Sequence, residues 1–324
     1  MDLDDRFCCT WCICTLLYLK TGDLVIPTTD PIIKGLIPLI QWLDRLLPIC
    51  IIALLLLVAH FLPENSQLIS RKTYNLISFL GFAWSADVFF LSILKLADIF
   101  AGTFSMVLGE PNMLRSFLIQ VRTGQIMLAQ TFAGIIIAIW AQLIRNRVGA
   151  RVLTLFAVLA LLPPALGGHS GSNSQHQLAI TSWGVHILSV SLWVAGVLSL
   201  VILIVLQNSE IFQAAKMFSP LALICFIGTV VSGVINASLR IDLAHELFSS
   251  RYGLILLSKI IIFIMLGGLG AFYRFRILNS FDTLSIRGVQ LFTRLIGAEL
   301  FLMSMAIMLA VVLSQTKFPT PLLP

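Results

Sequence analysis

ITSWGVHILSVSLWVAGVLSLVILIVL, residues 180–206, decides the fold, because it runs for 27 residues without an Asp, Glu, Lys or Arg. A helix rises about 1.5 Å per residue, and about 20 apolar residues cross a hydrocarbon core. In that core every backbone N–H and C=O must be satisfied internally, which a lone segment achieves only as a helix. Seven further runs read the same way: 36–62, 74–98, 122–144, 151–167, 218–240, 253–275 and 292–314. The run 151–167 is short and ends at Pro163–Pro164, where the helix is expected to kink or exit. Composition agrees, with 58% hydrophobic and 11% charged residues, against about 25% charged in a soluble domain. The expected fold is all-α: a polytopic integral membrane bundle of eight spans, solvated by the bilayer, with almost no room for a soluble domain.

The net charge of +6 is therefore a topology signal rather than a sign of nucleic-acid binding. Alternate loops divide the basic residues unequally. Arg71, Lys72, Arg145, Arg147, Arg151, Lys216, Arg274, Arg276, Arg287 and Arg294 fall on one side, and Arg115, Arg122, Arg240, Arg251 and Lys317 on the other. The richer side is expected to be cytoplasmic, which turns the uncharged loop 167–179 outward. Phe7–Leu19 is apolar but too short for a full span, and is a weak ninth helix or an interfacial stretch. The CCTWCIC run, with Cys8, Cys9, Cys12 and Cys14, can bind a soft metal as thiolates, or can be ordinary cysteines of an apolar stretch. Cys50 and Cys225 lie inside spans, and no spacing suggests a disulfide framework.

Polar groups inside a membrane are costly, so each asks for a reason. The region 167–197 holds His169 and His176 in the outward loop and His186 about two turns into the fifth span, with Trp193 seven residues on. Imidazole is a common ligand for copper and zinc, and three histidines on one side of the membrane can converge on an ion. Equally, the loop pair can be solvated and His186 bonded to a neighbouring helix. Thr229, Ser232, Asn236 and Arg240 form a polar stripe on the sixth span, suited to lining a path or to holding the fifth helix. Lys259 lies toward the outer end of the seventh span, within snorkelling reach of the interface. Asp87 is too deep to snorkel, and Asp98 lies on its face with Lys95 beside it, so a buried Asp–Lys pair is expected. The last span carries Glu299 in its inner half, then Met303, Met305 and Met308. Thioethers favour Cu(I) but also serve as packing. A haem reading is weak, because the histidines in spans, His60 and His186, lie near opposite faces. No Walker loop, nucleophile elbow or dinucleotide fingerprint occurs, so an enzyme is not expected.

The stretch GHSGSNSQHQLAITSWGVHILSVSLWVAGVLSL resembles the opening of the copper resistance D (CopD) domain. So do AKMFSPLALICFIGTVVSGVINASLR, YGLILLSKIIIFIMLGGLGAFYRFR and LFTRLIGAELFLMSMAIMLAVVLSQT, in that order. The resemblance implies a CopD-like domain over 168–324, preceded by helices at 36–167 and an N-terminal segment at 1–35. It places His169, His176, His186, Trp193, Asn236, Arg240, Lys259 and Glu299 on the family's motif positions. Ala195 departs from the usual W-x-G-G pattern, which bears on helix packing rather than on a metal site. What the resemblance implies is copper transport or handling at the plasma membrane. With the soft thioethers of the last span added to the histidines, the candidate metal contacts are His169, His176, His186, Met303 and Met305. Some relatives fuse this part to a cytochrome oxidase assembly (CtaG-like) domain, and the chain stops at KFPTPLLP, about where that domain would continue. It is therefore expected to be absent or on another polypeptide. The alternative is a non-transporting partner or scaffold for a respiratory oxidase. Expected partners are a periplasmic-type copper-binding protein or an oxidase assembly factor, and no nucleic acid.

Overall fold

A computed structural model describes residues 31–63, 66, 69–100, 102–144, 146–167, 176–208, 210–239, 246–272, 275 and 286–316. The segment 7–19, the N-terminal cysteines, His169 and Arg240 lie outside the described residues. Among the described residues every regular element is helical. In chain order these are α1 (Pro31–Leu56, extended by a π-helical turn Leu57–Phe61), α2 (Arg71–Ile99), α3 (Phe104–Gly109), α4 (Pro111–Gln120) and α5 (Arg122–Leu143). Then follow α6 (Arg147–Leu159, with a 3-10 turn Pro163–Gly167), α7 (His176–Val205), α8 (Ile211–Ser238), α9 (Glu246–Ser249), α10 (Arg251–Phe272) and α11 (Ile286–Gln315). Eight of these stretches are long and apolar enough to cross a membrane: α1, α2, α5, α6, α7, α8, α10 and α11. The sixth element breaks where the prolines predict, its α-helical part ending at Leu159 before the Pro163–Gly167 turn. The short helices α3 and α4 were not expected, and connect the second and third spans.

Helix α1 joins the two halves of the bundle, packing on α2 and α6 on one side and on α7 and α11 on the other. Its length from Ile49 to Leu57 is almost continuously buried, as an all-apolar helix at the centre of a bundle requires. Two polar ties fix it. The Ser199 hydroxyl of α7 lies 2.9 Å from the Ala53 carbonyl, sharing its proton between that oxygen and Ala195 O at 2.8 Å. The Trp84 indole of α2, fully buried, donates to Asp44 Oδ1 at 3.1 Å. Arg45 completes the Asp44 environment with Nε 3.7 Å from Oδ2. Trp84→Phe keeps most of the ring volume but removes the donor to a charged acceptor, worth about 1.5–3 kcal/mol. The thermal unfolding midpoint in detergent is expected to fall, and to fall less for Asp44→Asn, which retains an acceptor. Equal midpoints for wild type and Trp84→Phe would contradict this role.

The end of α1 shows what two of the loop arginines do. A helix C-terminus leaves its last carbonyls without intrahelical donors. Arg147 donates from Nε to Ala59 O at 2.9 Å and from Nη2 to Leu62 O at 2.6 Å and His60 O at 3.3 Å. Arg151 Nε reaches Ala59 O at 3.3 Å. Positive charge there also suits the negative end of the helix dipole. On the same basic face Arg71 holds the end of α5 through Gln142 O and Oε1, both at 2.7 Å.

Candidate functional site

Helices α7 and α8 lie side by side, and their polar residues meet. Ser182 Oγ donates to Asn236 Oδ1 at 2.7 Å, and four residues along each helix His186 Nδ1 lies 3.1 Å from Ser232 Oγ. The Ser232 hydroxyl proton goes to Gly228 O at 2.5 Å within its own helix. With its own proton on Gly228 O, Ser232 Oγ accepts from His186 in the tautomer protonated at Nδ1, and in that tautomer Nε2 is the nitrogen suited to metal coordination. Trp183 stacks on the His186 ring, with centroids 5.9 Å apart and planes 10° from parallel. The Asn236 Nδ2 atom is buried without a hydrogen-bond partner. Close approach makes this pairing possible, since a Cβ on Gly228 would sit 2.4 Å from Ser189 Oγ. Ser232 and Asn236 of the stripe thus bond to the fifth span, one of the two expected roles, while Thr229 Oγ1 donates to Cys225 O in its own helix.

Toward the basic face the polar cluster ends at three rings. Trp193 meets Phe226 and Phe263 edge-on, at 5.7 and 6.0 Å, and those two stack at 4.7 Å. Beyond them α7, α8, α10 and α11 line a half-open cleft of about 380 Å³. Its walls are mostly carbon, among them Phe218, Leu223, Leu266 and Phe292, with Ser219, Trp193 and Glu299 as the polar exceptions. Glu299 is 5% exposed, and the Trp193 indole N–H faces its carboxylate as a hydrogen-bond donor.

Other predicted residues separate. His176 is the first residue of α7 rather than a loop residue. Ten residues of helix set it about 15 Å along the axis from His186. The two backbones therefore stand between two and three turns apart on one helix, and His169 lies outside the described residues. Met303 is 2% exposed and faces the bundle, whereas Met305 and Met308 are 41% and 39% exposed on the outer surface. Two residues turn a helix by about 200°, so Met303 and Met305 do not share a face. Lys259 is half-buried in α10. Asp87 is half-buried in α2, with Oδ2 buried and without a hydrogen-bond partner. Its electrostatic neighbour is Asp44, while Lys95 faces Asp98. Asp87 is therefore not the partner of Lys95. Among the described residues no three His, Cys, Asp or Glu side chains group as a metal site.

Two residues of the polar cluster and cavity escaped the sequence reading: Ser182 and Ser219. Ser182 was findable, because Ser182–His186 and Ser232–Asn236 repeat the same four-residue step on adjacent antiparallel helices.

The family model of copper resistance protein D, CopD, matches residues 212–313. The match takes in α8, α10 and α11, three of the four helices around the cleft. The chain is also similar to the copper transport protein CutJ of Bacillus subtilis (strain 168), 26% identical over 175 residues. That match covers 51% of this chain and 32% of CutJ, so the chain spans about a third of the length of that curated relative. No solved structure matches it.

Proposed function

We propose that this protein carries copper ions across the plasma membrane through the bundle of α7, α8, α10 and α11. The observation that carries the reading is a coincidence of place. The residues matched by CopD, 212–313, lie in the helices that hold Ser232, Asn236 and Glu299 and wall the cavity. The name of the Bacillus relative, a copper transport protein, supports the same direction. Copper is substrate here, not a resident cofactor.

In this reading His169 and His176 meet the ion at the outer face, and His186 receives it about 15 Å deeper along α7. Its Nδ1–H bond to Ser232 orients the ring and leaves Nε2 as the coordinating atom. Met303, buried on the same side of α11 as Glu299, adds a soft thioether suited to Cu(I). The chain acts as a carrier rather than a catalyst. A periplasmic-type copper-binding protein is the natural donor at the histidine end.

The test compares copper accumulation in cells, and copper bound to purified protein, for wild type, His186→Ala, His169→Ala/His176→Ala and the triple variant. Loss is expected in each, largest in the triple variant. Wild-type values for both quantities in the triple variant would remove the histidines from the path.

A further inference from the structure

The half-buried His186 ring is held at more than one place. On one edge Nδ1 lies 3.1 Å from Ser232 Oγ. A single hydrogen bond fixes one atom of a ring and leaves its plane free to pivot about that atom. Trp183 removes this freedom. Its ring lies over the imidazole with planes 10° from parallel and centroids 5.9 Å apart, the spacing of an offset stack. Three residues of helix set Trp183 about 4.5 Å along α7 toward His176, so it stands on the stretch of helix that joins the two histidines. The Cε1 atom lies against α8 at Gly233, which has no side chain. A Cβ on Gly233 would lie 3.9 Å from His186 Cε1 and, beyond its own helix, would meet no other atom of the described residues within 4 Å. The imidazole is thus tied on one edge, covered on one face and given room beside Cε1, the neighbour of Nε2.

Both holds matter to a cation. A ligand already in its coordinating pose gives up less freedom on binding, and immobilising one side chain is worth about a two- to tenfold change in affinity. A metal on Nε2 also withdraws electron density and leaves the imidazole partly positive. An indole face attracts positive charge more strongly than the other aromatic rings, whereas aliphatic carbon offers no such attraction. We infer that Trp183 is the positioning residue of His186: its stacked ring holds the imidazole for coordination and stabilises the charge a copper ion places on it. The inference rests on the copper reading above and deepens it, adding a residue that acts through His186 and needs no contact with the ion.

The experiment uses the full chain, in detergent for binding and in proteoliposomes for uptake, with Ag(I) as a redox-inert probe of copper chemistry. Indole emission reports proximity, because a heavy ion on the stacked imidazole quenches it. Wild type is expected to lose part of its tryptophan emission on binding Ag(I), and that part is expected to vanish in Trp183→Phe and in His186→Ala. Trp183→Leu keeps bulk without a ring. It is expected to raise the Ag(I) dissociation constant and the half-saturating concentration for uptake by about five- to tenfold, with the maximal rate retained. Trp183→Phe restores a stacking face and is expected to recover most of that loss. Wild-type affinity in Trp183→Leu would overturn the inference and leave the copper reading standing, as would a Trp183→Phe variant as weak as Trp183→Leu. Should Trp183→Leu fail to fold, the quenching decides, and full Ag(I) quenching in Trp183→Phe overturns the inference. Failure of wild type to bind Ag(I), or wild-type binding by His186→Ala, would overturn the copper reading at His186 together with it.

Discussion

Gly134→Leu is expected to keep the first half of the bundle from assembling. A Cβ at position 134 would lie 2.8 Å from Gly81 O, 3.0 Å from Ser85 N and 3.1 Å from Ser85 Cβ. The converse holds at Gly81, where a Cβ would meet Gly134 O at 2.9 Å and Ala138 N at 3.0 Å. All but Ser85 Cβ are backbone atoms, and none can swing aside as a side-chain tip can. The contact is built from two small-residue pairs, Gly81 with Ser85 on α2 and Gly134 with Ala138 on α5. Inside a bilayer the lipid tails are as apolar as the helices, so close packing of this kind supplies most of the association energy. A leucine must force the two axes apart and lose those contacts along the whole crossing. Overpacking ordinarily costs about 1–3 kcal/mol, and a four-carbon side chain against backbone is expected to exceed that range. The yield of monodisperse protein in detergent should collapse, with a lowered unfolding midpoint in what remains. Gly268→Leu is the control, since a Cβ there meets nothing within 4 Å. If both variants behave as wild type, the glycine crossing is not what holds α2 to α5.

How much of this was legible in advance depends on what each feature needs. The eight spans need only length and polarity, and these are local properties, so all eight appear where the apolar runs lie. The hydrogen bonds of α7 and α8 were half legible. The polar stripe of α8 follows from spacing, but its partner residues require knowing which helix lies alongside. The separation of Met303 from Met305 follows from 100° per residue and was open to reading, yet the two were grouped by residue type. His176 was misplaced because the loop before it is polar and uncharged, and nothing in that composition marks where a helix begins. Arg147 and Arg151 read as topology markers, and the carbonyls of Ala59, His60 and Leu62 they also hold belong to a helix some 85 to 92 residues away. The Asp44–Trp84 bond and the Glu299 cavity are farther still from local pattern. A cavity is the space that four helices fail to fill, and no single segment encodes it.

The same reasoning gives Gly196 a larger consequence than its size suggests. A Cβ there would lie 1.9 Å from Phe218 Cε2 and 2.4 Å from Cζ, inside any tolerated contact. The ring of Phe218 is 4% exposed and is held edge-on by Phe61, with centroids 6.2 Å apart. The ring also forms part of the wall of the cleft between α7, α8, α10 and α11, so the cleft is the open space beside it. Gly196→Ala is therefore expected to fold, at an overpacking cost of about 1–3 kcal/mol, with the Phe218 ring displaced into that space. Copper accumulation should fall toward that of cells lacking the protein, a loss out of proportion to the modest drop in unfolding midpoint. Phe218→Leu in the same chain relieves the clash by shortening the side chain, and is expected to restore accumulation. Position 195 makes the contrast. Ala195 is fully buried where the resembled family pattern has glycine, so its methyl is accommodated by the packing. One residue along, a methyl meets a ring that only the cavity can receive. Full accumulation by Gly196→Ala, with a lowered midpoint, would show that transport does not pass through the space beside Phe218.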